Sequence, residues 1–139
     1  DVARKLLILA RLAGYPAELA DVEVESLIPA GAAPMSPDVF LASLPSWHEH
    51  VRDQFTSARA LGHVLRYVGV IDANGHLCAS LREIAEDDPL AQGQGPGNVF
   101  MLRTERYQRT PLVIAGPGAG VVVAAGAVVS DILRAAGAL

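Results

Sequence analysis

A chain of 139 residues is long enough for one domain, or part of one, with a modest core. Half of it is apolar (51%) and 19% is charged, which excludes a disordered chain. A net charge of −4 leaves no electrostatic footprint for nucleic acid or an anionic membrane surface.

The chain opens without Met on Asp1-Val2-Ala3-Arg4-Lys5, in mid-helix, so an upstream segment is expected to be missing. No basic n-region followed by an apolar run precedes it, which gives no sign of a secretory signal. Val2, Leu6, Leu9 and Ala13 recur at helical spacing, and Gly14 stands where a C-terminal cap belongs. Val22 to Glu25 alternates apolar and polar residues, as a half-buried strand does. Ile28 to Pro37 carries too much Pro and Gly for regular structure and reads as a connecting loop.

Pro37 to Leu44 predicts a short helix. Ser46, with Glu49 three residues on, predicts a capping box that opens a second helix running to Gly62. Val64 to Ile71 and Leu77 to Ile84 are apolar runs around Asn74-Gly75, a pair favoured in type I′ turns, so they form an antiparallel hairpin. A long loop around Asp87-Asp88-Pro89 follows, then strands at Val99 to Arg103 and Pro111 to Ala115.

Leu112 to Val129 contains no charge and approaches the ~20 residues of a membrane span. Gly116, Pro117, Gly118 and Gly120 divide it, however, into a buried strand, a Gly-rich turn and a buried helix from Val121 to Ala136. The order of elements indicates an α+β fold with a mixed, mostly antiparallel sheet and helices packed on one face. The other face needs a cover, and a second copy of the chain is a candidate.

Cys78 is the only cysteine, which excludes an internal disulfide and points to a reducing, cytoplasmic setting. The basic stretch Arg103 to Arg109 has Glu105 in its middle and reads as a solvated strand end. His48 and His50 flank Glu49 on what would be different helix faces, and no metal site is expected. Asp87 and Asp88 form a turn, and Trp47, Phe55 and Tyr67 belong to the core.

Two features are candidates for chemistry. Asp1 and Lys5 lie one turn apart on a helix face, a spacing that most often gives only a surface ion pair. Of the eleven Lys and Arg residues, Lys5 is the single lysine. Lysine can surrender a proton where arginine effectively cannot. The second feature is Gly116-Pro117-Gly118-Ala119-Gly120 before the final helix. It has neither the spacing of a P-loop nor that of a Rossmann fingerprint, so a backbone site for an anion and a tight turn demanded by packing both remain open.

Three segments together carry a family resemblance. Asp1 to Arg11 resembles the end of the homoserine dehydrogenase signature, in which Gly-x-Asp-x-x-x-Lys opens a helix. Val64-Leu65-Arg66-Tyr67-Val68-Gly69, with Ile71-Asp72 and Gly75, resembles the strand and hairpin of the form fused to aspartokinase. Thr104, Arg106, Tyr107, Pro111 to Ile114, the Gly-rich turn, Ala124-Ala125 and Asp131 to Arg134 resemble the family's C-terminal motif. Ala124 stands where the family often has Thr, which removes one polar contact.

The resemblance implies a catalytic domain over residues 1–139, with 116–139 as the Gly-rich turn and C-terminal helix and a nucleotide-binding domain upstream. It implies L-homoserine and L-aspartate 4-semialdehyde as substrates and NADP or NAD as cofactor. Lys5 would exchange a proton with the substrate hydroxyl, and Asp1 would orient substrate. Gly118, Ala119 and Gly120 would lie against the cofactor, and two subunits would pair through the sheet. The isolated chain would be inactive. The alternative is a non-catalytic dimerising scaffold, or a phosphate-binding module using the Gly-rich turn.

Overall fold

The computed structural model describes residues 2–93, 95 and 97–137, with the side chain of His50 left out. They fall into two compact units, residues 1–85 and 86–139.

The first unit opens with α1 (Val2–Leu12), whose apolar spacing puts Leu6 and Ala10 on its buried side. The helix ends in a double hydrogen-bonded cap. Gly14 N–H donates to the Arg11 carbonyl (3.1 Å) and Tyr15 N–H to the Ala10 carbonyl (3.0 Å), as the sequence position of Gly14 predicted. Leu6 and Ala10 pack with Val22 and Leu77 as the core of this unit.

Beneath the helix lies a three-stranded mixed sheet, ordered β1 (Val22–Val24), β3 (Leu77–Ala85), β2 (His63–Ile71). β1 runs parallel to β3, and β2 pairs antiparallel with β3 from His63↔Ala85 to Ile71↔Leu77. β1 is short, but Glu25 extends its hold on β3. Its N–H donates to the Ala79 carbonyl (2.8 Å), and its Oε2 accepts from the Leu81 N–H (2.9 Å). Gly69 on β2 lies under α1: a Cβ there would stand 3.1 Å from Leu6 Cδ1, so the Leu6 side chain would have to shift to admit it.

The hairpin is present with a turn other than the one the Asn-Gly pair suggested. A type I′ turn needs positive φ at both central residues. Here no non-glycine residue has positive φ, and Gly75 alone does (φ +83°). The closing bond runs from Gly75 N–H to the Asp72 carbonyl (3.1 Å), which makes Ala73 and Asn74 the central pair and leaves Gly75 to take the left-handed step after them.

Asp72 decides this geometry. Its Oδ1 accepts from Asn74 N–H (2.8 Å) and His76 N–H (2.9 Å). The His76 donor first, then the Asn74 donor, hold the Asp72 carboxyl below its ordinary value. A lowered carboxylate stabilises the fold above its unfolded-state value of about 3.9, and that contribution is lost as pH falls through the lowered one. Melting curves taken through this acid range should therefore fall less steeply for Asp72→Asn than for the parent; parallel falls would exclude the role.

The break expected before Ser46 does not occur. α2 is one helix, Pro37–Ala60, with Pro45 inside it. Ser46 does not cap: its Oγ donates back to the Ser43 carbonyl (2.6 Å). Pro45 forfeits one backbone hydrogen bond. Yet Phe40, Ser43 and Trp47 remain half-buried on either side of it, and Ala58 is 1% exposed further along, so the helix keeps packing a face past the proline. The preceding loop holds one short 3-10 turn, Ala30–Ala32, with Ala32 buried.

The second unit starts with a 3-10 turn, Pro89–Gln92, capped by Asp88, whose side chain accepts from Leu90 N–H (2.8 Å). β4 (Gly97–Leu102) and β5 (Leu112–Pro117) form a separate antiparallel pair, registered from Gly97↔Pro117 to Leu102↔Leu112. α3 (Val121–Ala135) follows.

The expected burial of this strand and helix is corrected. Every residue of β5 and α3 is exposed; Val121 is 87% and Val122 86% accessible. Their apolar character suits them for a core, yet among the described residues they remain accessible. Among the described residues, no helix is long and apolar enough to cross a membrane.

Candidate active site

Lys5 sits on α1 directly before the buried Leu6, and its side chain is exposed. The helix beneath it is fixed at several points. Leu6 and Ala10 pack on Val22 and Leu77, and Arg11 reaches Glu18 (2.8 Å) and the Ala17 carbonyl (2.9 Å) beyond the cap. Packing thus fixes the backbone that carries Lys5, while its side chain lies on the exposed side of the helix. Asp1, its expected companion, lies outside the described residues.

Gly118, Ala119 and Gly120 connect β5 to α3 in the second unit. Gly120 is the helix N-cap, with φ +122° and ψ 152°, a conformation an L side chain rarely adopts. No side chain caps α3 here, so the first-turn N–H groups stand behind a turn made of small residues. This fits a segment that meets a ligand with its backbone. Asn98, opposite Gly116 on β4, lies with its carboxamide against Gly118. Sequence reasoning passed over Asn98, because only the strand register brings it to the turn.

The remaining candidates stay ordinary. The loop from Arg103 to Arg109 is exposed throughout, as a solvated strand end is, with Tyr107 N–H closing a turn on the Thr104 carbonyl (3.0 Å). A half-buried His63 lies 3.5 Å from Glu83, and an exposed His76 3.2 Å from Glu23. Among the described residues, no three His, Cys, Asp or Glu side chains gather as a metal site.

The homoserine dehydrogenase family model matches residues 1–133 of this chain. The chain belongs to the homoserine dehydrogenase family. All three recognised segments fall within that match except for Arg134. A bifunctional aspartokinase/homoserine dehydrogenase of Zea mays is 46% identical over 138 residues, covering 98% of this chain and 15% of that protein. A bifunctional enzyme of the same description from Escherichia coli is 46% identical over 136 residues, covering 98% of this chain and 17% of its own length. The chain thus spans about a sixth of the length of these relatives.

Among solved structures, a Candida auris protein of unknown function superposes with a TM-score of 0.84 at 35% identity, over 95% of this chain and 37% of that one. A Staphylococcus aureus homoserine dehydrogenase gives a TM-score of 0.64 at 21% identity, over 98% of this chain and 30% of that one. The second likeness is one of fold. The homoserine dehydrogenase resemblance read from the motifs and the α+β class with mainly antiparallel pairing both stand.

Proposed function

We propose that this chain is the substrate-binding and subunit-pairing part of an oxidoreductase that interconverts L-homoserine and L-aspartate 4-semialdehyde with NADP or NAD, in threonine and methionine biosynthesis. The observation that carries the reading is the family match over residues 1–133, which includes both Lys5 and the Gly-rich turn. On this reading residues 1–139 form the catalytic and dimerisation domain, and a nucleotide-binding domain elsewhere in the protein completes the site. The lone Cys78 agrees with a cytoplasmic setting.

A bound nicotinamide would supply the hydride acceptor or donor. Lys5 Nζ takes the proton of the homoserine hydroxyl as the carbon loses its hydride, and gives it back in the reverse direction. The packing of Leu6 and Ala10 fixes the helix backbone from which Lys5 extends. The turn of Gly118, Ala119 and Gly120 presents only small residues toward the cofactor. Asp1 orients substrate, the role that the resemblance implies for it. Two copies pair through the sheet, as the resemblance implies.

The role of Asp1 is open to a steady-state test in the complete gene product. Asp1→Asn should raise KM for L-homoserine by roughly tenfold, the size of one charge-assisted hydrogen bond, and leave KM for the dinucleotide unchanged. If the homoserine KM and the pH optimum both match the parent, Asp1 does not orient substrate.

A further inference from the structure

We propose that Asn98 is a positioning residue for the cofactor-facing turn, and that Gly118 is glycine because the Asn98 carboxamide takes the space of its side chain. This rests on the reading of the Gly-rich turn given above and adds to it a residue that the motif does not contain.

β4 and β5 pair Gly97 with Pro117 and Asn98 with Gly116, so the chain leaves the ladder within two residues of Asn98. A Cβ built on Gly118 would run into Asn98 Nδ2 and would lie 3.3 Å from its Oδ1. The Nδ2 end of the carboxamide therefore faces this backbone position, with Oδ1 turned further from it. The other two glycines of the turn differ. A Cβ on Gly116 or on Gly120 would meet no heavy atom within 4 Å, and Gly120 is required for its φ of +122°. Gly118 has no positive φ to explain it. Contact with Asn98 is the constraint the structure gives for it.

Chemistry suits the amide to this place. The segment 118–119 lies between a strand and a helix and belongs to neither. A planar group with two N–H donors and a carbonyl acceptor, carried by a rigid strand, can hold such a segment at a fixed height above the ladder. The group that meets Gly118 is the end of a rotatable, exposed side chain, so a methyl at 118 displaces it at little cost in stability. The inference thus separates function from folding. Asn98→Ala and Gly118→Ala remove the same support by two routes.

Steady-state kinetics on the complete gene product, with melting curves beside them, tests this. Asn98→Ala should raise KM for NADP roughly tenfold, with kcat and KM for L-homoserine within about twofold of the parent. Its melting temperature should be unchanged. Gly118→Ala should do the same, and the double variant should be no worse than either alone, since each change removes what the other acts on.

An unchanged dinucleotide KM in Asn98→Ala would overturn the proposal. So would a double variant whose losses multiply, because Gly118 would then be glycine for the ligand and not for Asn98. A parent that binds NADP but does not oxidise L-homoserine would end the functional reading. The same three variants, compared by Kd in calorimetry, would still decide the role of Asn98. A parent that binds no dinucleotide would overturn both.

Discussion

Lys5→Arg should lower kcat of the complete gene product by about 10²–10⁴-fold while leaving its fold and its substrate KM near the parent values. Arginine keeps the positive charge, the length and the helix propensity of lysine, but holds its proton at any working pH. The Lys5 side chain is exposed on a helix whose packing depends on Leu6 and Ala10, so the exchange disturbs no core contact. Loss of turnover with an intact melting curve is therefore a statement about proton transfer. A kcat within a few-fold of the parent would reduce Lys5 to a charge on a helix surface, as its spacing from Asp1 alone would allow.

The largest effect on stability should come from Leu77→Ala. Leu77 is 1% exposed and opens β3, the strand between β1 and β2, where it meets Leu6, Ala10 and Val22. Truncating a fully buried leucine leaves a cavity and costs about 2–5 kcal/mol. The small core of this unit has little with which to refill it. The same cavity would loosen α1, which carries Lys5. Urea unfolding of the 139-residue chain should show a lower midpoint for Leu77→Ala, and a much smaller change, below about 1.5 kcal/mol, for Leu77→Met. A Leu77→Ala cost under about 1 kcal/mol would place the core elsewhere.

What could be read from the sequence was mainly local. The α1 cap depends on Gly14 and two preceding carbonyls, and the hairpin on two apolar runs around Asn74-Gly75; each lies within a few residues. The turn type did not follow, because Asp72 supplies two side-chain hydrogen bonds that stabilise the observed turn over the one Asn-Gly favours alone. The break before Ser46 was inferred from its capping box with Glu49, whereas packing on either side of Pro45 carried the helix through. The parallel pairing of β1 with β3 joins residues 55 apart in the chain, Val22 with Leu77, and no local pattern announces it.

The candidate site divides in the same way. Lys5 stood out as the single lysine and the Gly-rich turn by its glycines before the final helix, while their roles came from family resemblance. Asn98 carried no signal until the register of β4 against β5 set it beside Gly118. The apolar character of Val121 to Val129 showed that the segment suits a covered position, but composition cannot say whether the cover comes from the same chain.

The most direct measurement of the central claim is L-homoserine-dependent reduction of NADP and of NAD, followed at the nicotinamide absorbance. It should be run on the complete gene product and on residues 1–139 alone. The account predicts turnover by the complete protein and none by the 139-residue chain. Silence from the complete, folded protein with both dinucleotides would contradict it and favour a dimerising scaffold, and turnover by residues 1–139 alone would contradict the need for a further nucleotide-binding domain.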